Sequence, residues 1–431
     1  MSDSARAMVH AFLERESLRQ VEFLAELVRV PSDNPPGDCT PAAERARELL
    51  ESLLDQKVET DLVPDEIVKA NGMISATNLI VRRRFGRGGP TIALNAHGDV
   101  VPPGQGWTRD PYGAEIVDDP DHGLVMFGRG VAVSKSDFAT YTWALLALIE
   151  LETYGVPLHG TVELHFTYDE ETGGDIGPKR LIEQQLSKPD LAICAGFSYA
   201  VTSAHNGCLH FEVAINGKSG HAAIPSTGVD ALEAATDVLK ALYAYRDELS
   251  QEHSEVPGID TPTLNVGLIQ GGINTNVVPD RVTLRLDRRI IPEESATAAE
   301  ARLRALIQAA VAHRPAISVE IDRILLAEPL LELPGAARMI MALRTHAETE
   351  FGVSIPVHGV PLYTDARHYS TAGIPTVLYG AGPKTLQEAN GHGADECLRL
   401  SDLRKATAVV ALALVDLMRP AEDTGTDRSR E

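Results

Sequence analysis

The stretch that decides the fold is residues 91–99, Thr-Ile-Ala-Leu-Asn-Ala-His-Gly-Asp. Its apolar beginning predicts a buried strand, which delivers His97 to the carboxyl edge of a sheet, where open α/β folds place their sites. Asp99 is expected to hold the imidazole in one tautomer, which metal-bound histidines usually need. The alternative is a turn histidine beside a capping aspartate, so neighbouring motifs decide between the two.

A second strand ends in acidic residues. The stretch from Thr161 to Tyr168 predicts a buried strand that runs directly into Asp169-Glu170-Glu171. Between the two strands, the apolar stretch from Phe138 to Leu151 predicts a buried helix, because it is shorter than the about 20 residues that cross a bilayer. Alternating strands and helices predict an α/β domain whose mixed, mostly parallel sheet is flanked by helices.

The pattern changes near Cys208. Residues 208–327 follow the order β-α-β-β-α-β, which is the split βαβ arrangement of ferredoxin-like α+β domains. After residue 327 the alternation of strands and helices seen before Cys208 resumes. The sequence therefore predicts a first domain in two parts, 1–207 and 328–418, interrupted by the insert 208–327 and followed by a disordered tail, 419–431.

The composition excludes several partners. The chain has 431 residues, with 39 Lys and Arg against 61 Asp and Glu, which gives a formal charge of −22. That charge opposes binding to nucleic acid and to anionic membrane surfaces. No secretory signal follows Met1, which predicts a cytoplasmic location. The four cysteines show no Cys-x-x-Cys spacing, which favours reduced thiols over a disulfide framework or a thiolate zinc site.

Five separated motifs point to one family. In chain order they are His97-Gly98-Asp99, Gly128-Arg129-Gly130 with Lys135, Glu170-Glu171, His221 in the insert, and Asp365-Ala366-Arg367 with His392. In order and spacing the chain resembles the zinc aminoacylase, carboxypeptidase G and succinyl-diaminopimelate desuccinylase family of metallohydrolases. A solitary Glu-Glu would carry no such weight. The resemblance implies a zinc-peptidase-like catalytic domain and an insert that serves as a lid and dimerisation domain.

The resemblance also implies a metal site. In that family two metal ions share a bridging aspartate and a bridging water, and a glutamate takes the proton of the water. Matched motif by motif, His97 is the expected ligand of one metal, with Asp99 behind it. Glu171 and His392 are the expected ligands of the other metal, and Glu170 is the expected general base.

Two positions depart from the family pattern. The position of the bridging aspartate holds Val133, and that of the remaining carboxylate ligand falls near Gly196, in a stretch without an acid. We therefore expect at most one labile divalent ion per subunit (Mn, Zn or Co), with substrate completing its ligand set. Asp137 and His205 are candidates to compensate, although an acid in the first turn of a helix, as at Asp137, is also favoured by the helix dipole.

Further residues are expected on the substrate side. His221 resembles the histidine of the family's loop that reaches into the partner's site in dimers and stabilises a developing oxyanion. Asn276 and Arg289 also follow the family pattern, and arginine can hold a substrate carboxylate bidentately. The alternatives are that Asn276 only closes a turn and that Arg289 only pairs with Asp287 or Glu293. The remaining candidates for contact with substrate are His205 and His368.

Together these features predict a metal-dependent hydrolase that cleaves a C–N bond in a small carboxylate-bearing substrate. The substrate is either an N-acyl amino acid or dipeptide, or an amino-aromatic acid such as 5-nitroanthranilate that loses its amino group. A catalytically silent paralogue that binds amino acids stays open as a function of another class, because two metal-site carboxylates are missing. The expected assembly is a homodimer or a larger homo-oligomer, with no nucleic-acid or membrane partner.

Overall fold

The computed structural model describes residues 3–419, so the predicted tail, apart from Arg419, lies outside the described residues. The helices are α1 Asp3–Val28, α2 Thr40–Leu54, α3 Asp65–Ala70, α4 Lys135–Thr153, α5 Pro178–Glu183, α6 Ala231–Leu249, α7 Ala296–Val311, α8 Ala336–Phe351, α9 Ala366–Thr371 and α10 Leu400–Leu417. The strands are β1 Glu59–Leu62, β2 Thr77–Phe85, β3 Thr91–His97, β4 Glu115–Asp119, β5 Gly123–Phe127, β6 Gly160–Thr167, β7 Leu191–Cys194, β8 Val201–His205, β9 Gly207–Asn216, β10 Gly220–His221, β11 Thr263–Gly271, β12 Val277–Val278, β13 Arg281–Ile290, β14 Ser318–Ala327, β15 Val357–Val360, β16 Thr376–Leu378 and β17 Cys397–Arg399.

The chain divides into two compact units. The first contains the described residues of Met1–Ser203, Glu332–Val357 and His368–Glu431, and the second contains Ala204–Leu331 and His358–Arg367. The predicted insert, 208–327, falls within the second unit, which also takes in a later segment that the sequence pattern did not assign to it. The roles of these units as catalytic domain and lid stay predictions.

The first unit is built on an eight-stranded sheet with the strand order β1-β2-β6-β3-β7-β16-β8-β15. Strand β3 runs parallel to both of its neighbours, whereas β2 pairs with β6 antiparallel. The mixed α/β class with a parallel centre is thus confirmed. Because His97 is in register with Thr167, β3 and β6 end at the same edge, which places His97 beside the acidic turn that follows β6.

Helix α4 lies in the core of the first unit, as its apolar sequence predicts. It packs against α1 and α10, and α10 also packs against α8. The ring of Phe138 stacks on Phe166 with centroids 3.9 Å apart and meets Tyr168 edge-on at 5.9 Å. Such aromatic pairs add about 0.5–1.5 kcal/mol beyond area burial, so they hold α4 against the end of β6.

The second unit has a four-stranded antiparallel sheet with the order β11-β13-β9-β14. With α6 and α7 in chain order, this is the β-α-β-β-α-β arrangement that the sequence predicts. On β9, Leu209, Phe211 and Val213 belong to the core that the sheet forms with the two helices. Because side chains alternate along a strand, Cys208 and His210 lie on the opposite face of this sheet.

The sequence did not predict the small sheet formed by β17, β5 and β4. Strand β4 is mostly exposed, so it lacks the apolar run by which a buried strand is recognised. Of the helices within residues 3–419, none combines the length and the apolar character that spanning a membrane requires.

Gly98 is packed beneath aromatic rings. A Cβ added there would overlap the ring of Tyr168 and lie 3.0 Å from Cζ of Phe138. Because both rings are buried, Gly98→Ala is expected to lower the free energy of unfolding in urea by about 1–3 kcal/mol. Gly267→Ala is the control, since the nearest neighbour of an added Cβ is Asn265 Nδ2 at 3.6 Å. Equal stability of the two variants would contradict this packing.

Candidate functional site

Strand β3 brings a buried imidazole to the edge of the sheet. His97 is 6% exposed. Ser134 Oγ accepts from the backbone N–H of His97 at 3.1 Å and donates to its carbonyl oxygen at 2.9 Å. Ring Nδ1 lies 3.0 Å from the carbonyl oxygen of Asp99 and 3.4 Å from Asp99 Oδ1, so the backbone of Asp99, more than its carboxylate, orients the ring. Nε2 lies 4.0 Å from Glu170 Oε2.

The carboxylate of Asp99 holds the acidic turn in place. It is fully buried. Its Oδ1 accepts from the N–H of Glu170 at 3.2 Å, and its Oδ2 accepts from the N–H of Glu171 at 3.1 Å and from Asn34 Nδ2 at 2.9 Å. Hydrogen bonds to a carboxylate are charge-assisted and therefore strong. Asp99 thus positions both glutamates of the 3₁₀ turn Glu170–Thr172 relative to His97.

The structure brings four of the predicted site residues together. His97, Glu170 and Glu171 each offer a ligand-type atom, and these atoms lie within 4.8 Å of one another. His392 Nε2 lies 3.5 Å from Glu171 Oε1. The side chain of His392 is half exposed, whereas that of Glu171 is 10% exposed, so the cluster is open on the histidine side.

Burial and mutual proximity shift the ionisation of this cluster. Burial and the adjacent Glu170 carboxylate raise the pKa of Glu171 to about 8. Burial lowers the pKa of His97, but Glu170 and Asp99 outweigh burial and raise it well above its usual range. Burial and the nearby His97 and Arg129 lower the pKa of His392. The raised pKa of Glu171 means that its carboxyl group holds a proton near neutral pH and must release it to ligate a cation, whereas the lowered pKa of His392 favours the neutral imidazole that ligates one.

The donor set fits one divalent ion. Within residues 3–419, no hydrogen-bond partner reaches the buried Oε1 of Glu171. Carboxylate oxygen and imidazole nitrogen are donors that Mn²⁺, Zn²⁺ and Co²⁺ accept. Of the two positions at which the family pattern has further carboxylate ligands, the first is Val133, whose side chain offers no ligand atom. At Gly196 an added Cβ would lie 2.7 Å from Leu378 Cβ and 2.9 Å from Tyr379 N, so a ligating side chain has no room there.

Asp137 is engaged elsewhere. Its Oδ1 accepts from the N–H of Ala381 at 2.6 Å, and the N–H of Gly196 also bonds to its carboxylate. Burial raises the pKa of Asp137 to about 7. This residue in the first turn of α4 anchors two loops by their backbones, so compensation for Val133 is not the role that its contacts show.

A buried ion pair holds the loop of His392. Arg129 and Glu396 are 1% and 0% exposed, with Nη1 2.6 Å from Oε2. Arg129 Nη2 donates to the carbonyl oxygens of Gly393 at 3.0 Å and of His392 at 3.3 Å. The other oxygen of Glu396 accepts from the backbone N–H of Gly130, Ala132 and Val133. Sequence reasoning missed Glu396, because a single acid near His392 carries no signal of a partner more than 260 residues away.

His368 and His205 lie in different units and have different contacts. His368 Nε2 lies 3.0 Å from the carbonyl oxygen of Gly173, directly after the acidic turn, so it borders the cluster in the first unit. His205 is fully buried in the second unit. Its Nε2 accepts from the N–H of Thr364 at 3.3 Å, and its Nδ1 lies 2.9 Å from the carbonyl oxygen of Asn206. Burial lowers the pKa of His205 to about 3, so it is a neutral interior histidine here. Substrate contact by either histidine stays a prediction.

The other predicted substrate-side residues belong to the second unit. His221 and Asn276 are neighbours, since Ala222 N–H donates to the Asn276 carbonyl oxygen at 3.0 Å and β10 pairs with β12. Arg289 donates from Nε and Nη2 to Asp287 at 2.9 and 3.1 Å, which is the pairing that the sequence left open as an alternative. The roles of all three toward substrate stay predictions.

Comparison with known proteins places these features in context. The sequence profile of peptidase family M20/M25/M40 matches residues 93–416. A succinyl-diaminopimelate desuccinylase from Sphingopyxis alaskensis is 27% identical over 399 residues, which covers 90% of this chain and 96% of that protein.

Two solved structures share the fold. An M20 family metallo-carboxypeptidase from Sulfolobus solfataricus superposes with a TM-score of 0.72 at 18% identity, covering 93% of this chain and 99% of that chain. A dinuclear metal-binding M20 family peptidase from Bacillus subtilis superposes with a TM-score of 0.64 at 16% identity, covering 94% and 99%.

The ion pair between Arg129 and Glu396 generates a test. Glu396→Gln leaves the buried guanidinium unpaired, so the free energy of unfolding is expected to fall by about 3–5 kcal/mol in a denaturant titration. The control is Glu248→Gln, which removes an exposed partner of Arg302 and is expected to cost less than about 1 kcal/mol. The account of the His392 loop is wrong if both variants lose the same small amount.

Proposed function

The chain belongs to peptidase family M20/M25/M40 and is a metal-dependent hydrolase, and from that premise we propose that it cleaves a C–N bond in a small substrate carrying a carboxylate. The observation that carries the proposal is the position of Glu170. Its carboxylate lies in the ligand-type cluster with His97 and Glu171, on a turn whose backbone is fixed by buried Asp99.

We propose that His97, Glu171 and His392 hold one divalent cation. When bound, such an ion polarises the bond under attack and lowers the pKa of a water molecule beside it. Within residues 3–419, Oε1 of Glu171 accepts no hydrogen bond and lies 3.5 Å from His392 Nε2, which supports this ligand set. Fewer acidic ligands leave more positive charge for a substrate carboxylate, so we expect donor groups of the substrate to complete the set.

Glu170 acts as the general base in this proposal. Its carboxylate takes a proton from the attacking water and passes it to the leaving nitrogen, which makes the amine a better leaving group. Asp99 acts through the turn rather than on substrate, because both of its carboxylate oxygens accept backbone N–H groups. His221 would then support the negative charge that develops on the substrate.

Two substrate classes follow from the site. The first is an N-acyl amino acid or a dipeptide, in which the amide bond is cleaved. The second is an amino-aromatic acid such as 5-nitroanthranilate, in which the ring loses its amino group. The specific observation that favours the second is the absence of ligand side chains at Val133 and Gly196, since adjacent amino and carboxylate groups can chelate an ion with few protein ligands.

A silent amino-acid-binding paralogue fits the structure less well. Asp99 is buried and fully hydrogen-bonded, and a separate buried ion pair holds the loop of His392. Both arrangements order a cluster of ligand-type side chains, in which burial and then the neighbouring Glu170 carboxylate raise the pKa of Glu171. A fold without activity gains no stability from such crowding, whereas a site that binds a cation requires it.

Replacement of Glu170 tests the proposal. The full-length protein is assayed with N-acyl amino acids, dipeptides and amino-aromatic acids in the presence of Mn²⁺, Zn²⁺ or Co²⁺. For the substrate that is turned over, Glu170→Gln is expected to reduce kcat by about 10²- to 10⁴-fold, because the amide cannot accept the proton.

The matched control is Glu183→Gln, on the exposed end of α5, which should retain full activity. Full activity in Glu170→Gln would refute the general-base assignment. Binding of amino acids without turnover under any metal would instead support the silent paralogue.

A further inference from the structure

A second group of metal-type side chains lies in the second unit, on two paired strands of its four-stranded sheet. Cys208 and His210 stand on β9, and Asp287 stands on β13. The antiparallel register pairs Asp287 with His210 and Arg289 with Cys208. All four side chains therefore share the face of the sheet that is opposite to the apolar core of this unit.

One ligand-type atom can be chosen from each of these three side chains so that all three atoms lie within 4.8 Å of one another. Cys208 Sγ lies 3.2 Å from His210 Nε2, His210 Nε2 lies 3.2 Å from Asp287 Oδ2, and Cys208 Sγ lies 3.9 Å from Asp287 Oδ1. Tetrahedral zinc with bonds of about 2.0–2.3 Å requires ligand-to-ligand distances of about 3.3–3.6 Å. The separations of His210 Nε2 from Cys208 Sγ and from Asp287 Oδ2, both 3.2 Å, approach these edge lengths, and the three side chains would leave one position of the tetrahedron for another ligand.

The arrangement differs from a nucleophilic triad. In a triad the two nitrogens of the histidine face different partners, whereas here the thiol and the carboxylate both face Nε2. One ring hydrogen cannot serve both partners well.

The hydrogen bonds of Asp287 and the exposure of the three side chains are also those of a metal site. Arg289 donates to both oxygens of Asp287, and hydrogen bonds of this kind orient ligating carboxylates. Cys208 is fully buried, whereas the side chains of His210 and Asp287 are each 32% exposed. An ion held by Cys208, His210 and Asp287 would thus have one side open to solvent.

We propose that Cys208, His210 and Asp287 bind a zinc-type divalent cation within the second unit, with ligands different from those of the His97 cluster. On binding, the S–H bond of Cys208 breaks, its proton passes to solvent, and the sulfur electron pair ligates the ion. A thiolate with an imidazole favours Zn²⁺ or Co²⁺ over Mn²⁺. The sequence favoured plain thiols, because a site assembled across paired strands has no Cys-x-x-Cys spacing.

Cobalt provides the test, since only a thiolate ligand gives a sulfur-to-cobalt charge-transfer absorption in the near ultraviolet. Metal-stripped, full-length protein is titrated with Co²⁺ under reducing conditions. The expected result is a charge-transfer band that saturates at one thiolate-bound ion per chain and is abolished by adding Zn²⁺. No band in the unmodified protein would overturn the proposal.

Single substitutions identify the residues that produce the charge-transfer band. Cys208→Ala should abolish it, and His210→Gln should shift its titration to higher Co²⁺ concentration. The second variant changes a partly exposed side chain, so it tests the site without disturbing the buried position. Cys397→Ala and Glu171→Gln should keep the band. Persistence of the band in Cys208→Ala, or its loss in Cys397→Ala, would contradict the assignment. Retention of the band in Glu171→Gln would show that this site does not depend on the proposed hydrolytic site.

Discussion

The buried carboxylate of Asp99 is the constraint on which the candidate site depends. It lies just beyond β3 and accepts hydrogen bonds from the backbone of the turn beyond β6. Hydrogen bonds to a charged group contribute about 1.5–3 kcal/mol each, which is enough to keep a short 3₁₀ turn in one conformation. The strand that carries His97 and the turn that carries the two glutamates are therefore one structural element, although about 70 residues separate them in the chain.

A second constraint acts on the other side of the cluster. The ion pair of Arg129 with Glu396 joins the Gly128-Arg129-Gly130 loop to the loop of His392, and backbone N–H groups of residues 130–133 close around the Glu396 carboxylate. Buried pairs are costly unless every polar atom finds a partner. Here both oxygens of Glu396 accept hydrogen bonds, whereas Nε of Arg129 has no hydrogen-bond partner within residues 3–419. The pair occupies the loop in which the family pattern has its bridging aspartate. The loop keeps its shape while Val133 supplies no ligand.

The sequence was most informative where the signal is local. An apolar run ending at His97, another ending before Glu170, and the order of elements in residues 208–327 each follow from short-range pattern, and the structure has strands and helices there. It was least informative where partners are distant in the chain. Glu396, the backbone contacts of His205 and the anchoring role of Asp137 depend on tertiary packing. The cluster around Cys208 depends on strand register, which no spacing rule reveals.

Electron paramagnetic resonance of the metal-stripped protein reloaded with Mn²⁺ tests most directly the proposal that the cluster of His97, Glu171 and His392 binds one ion. Mn²⁺ is the suitable probe, because carboxylate and imidazole donors accept it and a thiolate does not favour it. We expect one Mn²⁺ per chain with the spectrum of a magnetically isolated ion, and we expect this spectrum to be lost in Glu171→Gln. The spectrum of an exchange-coupled pair in the unmodified protein would contradict it.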